Sequence, residues 1–257
     1  MLARRIVGSG PPLLLVNGYA ATGADWDPSF LAALAESFEV ICPDNPGVGG
    51  STQGVGELTI DGMAEDMVAL LDELAIGRCA VAGWSMGGFI AQRLALSAPN
   101  RVSSLALLAT DPGGPDSIPA DPQAWARLID HSGSEREQAS RLISLLFPPP
   151  LATQIDAEFG EVVAAARAAL DPDVLRAQEA AMESWHRDGI AAPEPGEVSP
   201  TLVLHGDRDE VIPVANAEAL AASWRGARVE VFAGCGHALM AQEPRRVAAA
   251  IWAAASA

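Results

Sequence analysis

Cysteine is scarce in this chain. Cys42, Cys79 and Cys235 are odd in number, far apart, and show neither CxxC nor Cys/His ligand spacing, which excludes a disulfide framework and a zinc site. Cations are scarce too. Sixteen Lys and Arg face 33 Asp and Glu, a formal net charge of −17, and a surface of that sign repels polyphosphates, excluding nucleic acid and anionic lipid as partners. No apolar run approaches the roughly 20 residues a membrane-spanning helix needs. The basic start "MLARR" leads into only a brief apolar segment, broken by "GSGPP". A continuous signal-peptide core is therefore missing, and a cytoplasmic location is expected. No fixed-period repeat occurs, and alanine bias is the one compositional oddity.

What is present is a rhythm. At 257 residues the chain is long enough for one large α/β domain or a domain with an insertion. Short apolar runs bounded by turn signals recur at "LLLVNG" (13–18), "FEVICPD" (38–44), "RCAVAGW" (78–84), "VSSLALLATD" (102–111), "TLVLHGD" (201–207) and "RVEVFAG" (228–234). Runs without alternation predict strands buried on both faces of a parallel sheet. Segments of helical period separate most of them, at 27–37, 59–75, 86–98 and 215–224, and another follows at 244–255. Strand alternating with helix predicts a doubly wound α/β sheet.

One gap breaks that alternation. Between Pro112 and Pro200 only helix-like pieces occur, at 121–131, 134–146, 152–169 and 173–187, punctuated by "DPGGPDSIPADP", "FPPP" and "APEPGEVSP". The expected organisation is therefore a core in two parts, 1–111 and 200–257, with an all-helical insertion at 112–199.

The stretch "VAGWSMGGFIAQ" sets Ser85 between a strand-like and a helix-like segment. Ligands of open parallel sheets bind beyond the carboxyl ends of the strands, and Ser85 stands at one of those ends. The pattern Gly83-x-Ser85-x-Gly87 is that of a nucleophile elbow, whose tight turn needs small residues around the serine. The helix starting at Met86 directs its free N–H groups and positive dipole end at the place where an oxyanion would form.

Four landmarks follow one another in order: "VNGYAATGADW", "DNPGVGGS", "GWSMGG", and "HGDRDEVIP" with "GCGH". By these the chain resembles the α/β-hydrolase fold family with a helical cap, in its esterase, lactonase and non-haem peroxidase branch, over essentially its whole length. The resemblance implies a mostly parallel sheet of about seven or eight strands flanked by helices. Seven are expected, because ten residues before "PPLLLVNG" trim the usual leading hairpin.

It also implies a Ser, Asp or Glu, His order along the chain. A serine hydroxyl needs an adjacent base, itself oriented by a third group. His131 and His186 lie in the insertion and His205 inside a strand, so His237 in "AGCGHALM" is the base. For the acid, the family's Gly-x-x-Asp pattern before a proline favours Asp209, with Asp207 and Asp111 as alternatives. The oxyanion donors are the backbone N–H groups of Met86 and Tyr19. Asn17-Gly18 stands where many relatives carry His-Gly, and "DNPGVGGS" reads as a structural loop. Trp84 reads as core packing. In the cap, Trp185 and Met182 either pack the insertion onto the core or line an apolar substrate pocket.

The expected function is a serine hydrolase of carboxylic esters or lactones of small, largely apolar substrates, working through an acyl-enzyme without metal or organic cofactor. Serine rather than aspartate at the elbow argues against haloalkane dehalogenase and epoxide hydrolase chemistry. Two reactions on the same triad stay open: cofactor-free peroxidase or perhydrolase chemistry, and carbon–carbon bond hydrolysis of a diketone. A small-molecule receptor with vestigial hydrolysis is the alternative of another class.

Overall fold

The computed structural model describes residues 1–52, 57–189 and 200–256. Seven strands form one sheet among them: β1 (Arg4–Gly8), β2 (Pro12–Val16), β3 (Glu39–Pro43), β4 (Cys79–Trp84), β5 (Val102–Leu108), β6 (Thr201–Gly206) and β7 (Arg228–Phe232). Their spatial order is β1-β3-β2-β4-β5-β6-β7. Strands β2 to β7 run parallel to their neighbours. They arise from the six apolar runs of the sequence.

Strand β1 has a different origin. It pairs antiparallel with β3, from Arg4 opposite Pro43 to Gly8 opposite Glu39, and none of its residues is fully buried. An edge strand of this kind is held by the backbone ladder rather than by an apolar run.

The helices cover both faces. Leu14, Val16, Ile41 and Val81 pack beneath α2 (Ile60–Glu73), α3 (Met86–Ser97) and α8 (Asn216–Ser223). Leu13, Leu15, Val40 and Ala80 face the other way, onto α1 (Pro28–Ala35) and α10 (Pro244–Ala255). Neighbouring strand residues enter opposite layers because side chains alternate across a strand. Caps mark the helix starts: Asp27 accepts from Phe30 N at 2.9 Å and Thr59 from Gly62 N at 3.0 Å, each satisfying a donor with no partner inside its helix.

Between β5 and β6 the chain forms the helical cap: α4 (Pro122–Leu128), α5 (Glu135–Leu146), α6 (Pro149–Ala168) and α7 (Pro172–Asp188). The expected cap boundary at 199 lies outside the described residues. Helices α5 and α6 form an antiparallel hairpin around "FPPP", clamped where Arg136 Nη1 and Nη2 donate to Asp156 Oδ1 and Oδ2 at 2.8 and 3.0 Å. After β7 come the short α9 (Leu239–Gln242) and α10. Among the described residues, no helix is long and apolar enough to cross a membrane.

Leu14 is fully buried between β3 and β4 and under the α2–α3 layer. Leu14→Ala is expected to lower unfolding free energy by about 2–5 kcal/mol, the usual range for a truncated core leucine, read as a lower midpoint in urea with an unchanged slope.

Candidate active site

Ser85 lies between the last residue of β4 and the first of α3, with φ 56° and ψ −124°. That region is disfavoured for a residue with a Cβ and costs roughly 1–3 kcal/mol. Three bonds hold it there. Its N–H donates to Leu108 O at 2.9 Å, and its carbonyl accepts from Gly88 N at 2.8 Å and Thr110 Oγ1 at 2.9 Å. The flanking glycines are required by contact: a Cβ on Gly83 would stand 2.2 Å from Gly87 O, and one on Gly87 would stand 2.3 Å from Val16 O. The serine is thereby presented at the end of the central strand.

The loop after β2 lies directly against the elbow, where a Cβ on Gly18 would meet the Ser85 Cβ at 3.2 Å. Buried Asn17 braces it. Its Nδ2 donates to Thr22 O at 2.5 Å, its Oδ1 accepts from Gly18 N at 3.0 Å, and its carbonyl accepts from Asn45 Nδ2 at 3.1 Å. An asparagine thus supports the loop where many relatives carry histidine. The Tyr19 N–H makes no hydrogen bond among the described residues. The Met86 N–H, at the first position of α3, is a donor that has no partner within its own helix.

The Tyr19 side chain turns to the cap instead. Its hydroxyl donates to Glu179 Oε1 at 2.5 Å, and His131 Nε2 donates to the same oxygen at 2.6 Å. Burial, then the Glu179 carboxylate, pushes the phenol well above its ordinary range. Ala20, next along, has φ 57° and donates its N–H to Gln178 Oε1 at 2.9 Å.

His237 follows β7 in a loop and is almost fully enclosed, with Nδ1 2.8 Å from Asp209 Oδ2. An ionised carboxylate only accepts, so the shared proton sits on Nδ1 and Nε2 keeps its lone pair. Asp209 is held in turn: Oδ1 accepts from Val211 N and Ile212 N, both at 2.9 Å. On its far side His205 Nε2 donates to Ile212 O at 2.9 Å and faces Asp209 Oδ2 at 3.3 Å. Burial alone would raise the Asp209 pKa, but the His237 contact, with the His205 bond beside it, holds it well below the ordinary carboxylate range.

The other acid candidates are engaged elsewhere. Asp207 is a turn residue whose Oδ1 accepts from Gly234 N at 2.7 Å. Asp111 ties the cap to the core: Oδ1 accepts from Gly113 N at 2.8 Å and Trp185 Nε1 at 3.1 Å, and Oδ2 faces His186 Nε2 at 3.3 Å. Asp44 folds "DNPGVGGS" on itself, Oδ2 accepting from Gly50 N at 2.9 Å, and ties it to the loop after β2, Oδ1 accepting from Gly23 N at 2.7 Å.

In the cap, Trp185 stacks on Phe89 of α3, ring centroids 4.9 Å apart and planes at 16°. Met182 is buried in the same cluster as Met86 and Phe89. Trp84 does more than fill the core, because its Nε1 donates to His237 O at 3.0 Å and its ring lies 5.3 Å from the imidazole. Its only sequence signal was adjacency to Ser85. The cap meets the same loop where Ala238 N donates to Leu146 O at 3.0 Å. Among the described residues no group of three His, Cys, Asp or Glu could hold a metal ion.

The model of the alpha/beta hydrolase family matches residues 13–250, and the chain belongs to that family. It is similar to the pimeloyl-[acyl-carrier protein] methyl ester esterase of Nitrosomonas europaea, 29% identical over 239 residues and covering 90% of each protein. Among solved structures it resembles a hydrolase from Pseudomonas aeruginosa PA01 at TM-score 0.83 and 30% identity, covering 100% of this chain and 94% of that one. A 2-hydroxy-6-oxo-6-phenylhexa-2,4-dienoate hydrolase from Rhodococcus sp. strain RHA1 shares the fold at TM-score 0.82 and 24% identity, covering 100% and 95%.

The lowered Asp209 pKa has a consequence for stability. In the unfolded chain the carboxylate takes up its proton near the ordinary 3.8, whereas in the fold it stays ionised to lower pH. The unfolded state therefore binds more protons as pH falls through that range, so the stabilisation is full above it and lost progressively below. Asp209→Asn is expected to flatten the decline of unfolding free energy from about pH 5 to pH 3, measured by urea titration at each pH. An equally steep decline in the variant would show that Asp209 does not contribute it.

Proposed function

We propose that the protein is a serine hydrolase that cleaves carboxylic esters or lactones of small, largely apolar substrates through an acyl-enzyme. Hydrolysis of small organic substrates is the general chemistry of the family to which the chain belongs. What carries the finer reading is the 2.8 Å contact of His237 Nδ1 with buried Asp209, combined with a serine held at positive φ at the end of the central strand.

In this reading His237 Nε2 takes the Ser85 proton as Oγ attacks the substrate carbonyl. Asp209 keeps the imidazole in the right tautomer and balances the imidazolium that forms. The oxyanion is received by the N–H groups of Met86 and Tyr19, which require no reorganisation at the moment of reaction; one such donor is typically worth about 10²–10³ in kcat. The imidazolium then protonates the leaving alkoxide, and water activated by the same Nε2 releases the acid. Met86, Phe89, Met182 and Trp185 form an apolar cluster under the cap, which supports a largely apolar substrate. We take the cap at 112–199 as the unit that shapes substrate choice over the two core parts. Cys42, Cys79 and Cys235 are free and buried, which suits a reducing compartment such as the cytoplasm.

The similarity to a methyl ester esterase over 90% of the chain supports the ester reading. A fluorophosphonate should label Ser85 stoichiometrically, and Ser85→Ala should abolish labelling and lower kcat on short p-nitrophenyl esters by about 10⁴-fold or more. Rapid cleavage of a vinylogous diketone without turnover of any such ester or lactone would instead assign carbon–carbon bond hydrolysis.

A further inference from the structure

Helix α7 runs across the carboxyl ends of the sheet. Val174 fills the space beside Gly47 after β3, where a Cβ on that glycine would meet Val174 Cγ2 at 2.8 Å. Eleven residues on, the other end of that face is Trp185, bonded to Asp111 after β5 and stacked on Phe89. Residues three, four and seven apart share a helix face, and Val174, Gln178, Ala181, Met182 and Trp185 are all buried. Gln178 is the one polar member of that set and is 0% exposed.

Its orientation is fixed by chemistry. The Ala20 N–H can only donate, so the atom 2.9 Å from it is the amide oxygen, and the other end of the amide is the NH₂ group. That Nε2 has no hydrogen-bond partner among the described residues. Buried donors left unmade are costly and rare. Since oxygen and nitrogen sit on one amide carbon, these N–H groups are held beside the loop that carries Tyr19 and Ala20. Bracing Ala20 accounts for the oxygen of Gln178 and leaves its nitrogen unused.

A second donor accompanies it. Arg167 of α6 is 8% exposed, lies beside the Tyr19 hydroxyl, has no carboxylate within ion-pair distance among the described residues, and leaves Nε without a partner. A purely apolar ligand would bury both donors without an acceptor.

We propose that Gln178 Nε2 binds a second acceptor oxygen of the substrate, a ketone or carboxylate oxygen distinct from the scissile carbonyl. The cap thereby selects an oxygenated acyl or alcohol group within an otherwise apolar pocket, and Arg167 favours the carboxylate form. This rests on reading the Tyr19 loop as the oxyanion loop, and the test is therefore made on binding, not turnover.

In Ser85→Ala protein, calorimetric titration with methyl 4-oxopentanoate, monomethyl glutarate and methyl pentanoate should give both oxygenated esters about tenfold tighter binding than the alkyl ester, the effect of one hydrogen bond in a dry site. Adding Gln178→Met should shrink that gap to about twofold or less, and adding Arg167→Met should shrink it only for the carboxylate. Gln178→Asn, which keeps an amide, serves if the methionine variant melts early. Equal binding of the three esters, or a gap that survives in a folded Gln178→Met variant, overturns the proposal. Failure of fluorophosphonate labelling in the wild type would count against the hydrolase reading alone, because this binding gap needs no nucleophile.

Discussion

Ser85 is held at φ 56° by an arrangement in which three backbone segments meet with no side chain between them. Gly83 passes under Gly87, and Gly87 passes under the end of β2, at distances where a Cβ would sit within 2.3 Å of a carbonyl oxygen. That close approach sets almost everything downstream. It turns the chain sharply enough for α3 to begin at the next residue, so the N-terminal end of the helix points at the serine. It also seats the loop after β2 against the serine, so a second backbone donor can lie on the same side. A methyl group at either glycine would separate all three.

The opposite side of the site is organised around charge. Asp209 is buried, so its ionised form depends on donors, and it has four: two backbone N–H groups, His237 and, more distantly, His205. Each donor fixes one direction around the carboxylate. His237 therefore inherits its placement from the turn after β6, and Trp84 holds the backbone of the same loop from the β4 side. The tryptophan next to Ser85 thus connects the two halves of the candidate site through a main-chain carbonyl.

Strands β2 to β6 were legible because burial on both sheet faces leaves apolar runs, and nine of the ten α-helices among the described residues because one-sided burial leaves a helical period. Strand β7 was read from Val229, Val231 and Phe232, but it is an edge strand with only Phe232 buried. Strand ends, turn chemistry and chain order singled out Ser85, Asp209 and His237, and the structure puts His237 Nδ1 2.8 Å from Asp209. Strand β1 was not legible, since "RRIVG" is held by ladder bonds to β3 and carries no apolar signature. Helix α9 has four residues, too few for a period. The bracing role of Asn17 depends on a carbonyl five residues away, and that of Trp84 on one 153 residues away. Gln178 was hidden for a related reason: a glutamine in an amphipathic helix ordinarily marks the solvent face, and only the approach of Ala20 turns it inward.

These contacts also tie the cap and the strand-end loops into one unit. The cap reaches the loop after β2 through Gln178 to Ala20 and Glu179 to Tyr19, the loop after β5 through Trp185 to Asp111, and the loop after β7 through Leu146 O to Ala238 N. Every strand-end loop that carries a donor or a proton is therefore bonded to a helix above it, apart from the elbow and the β6 turn, which the sheet itself fixes. Ser85 and Asp209 are held by the core, while Tyr19 and His237 sit on loops whose far side is cap. Movement of α7 relative to the sheet cannot leave the loop after β2 unchanged, because Ala20 at positive φ is held by a side-chain oxygen on that helix. The cap helices and the loop that lies against Ser85 are in this way parts of one hydrogen-bonded layer.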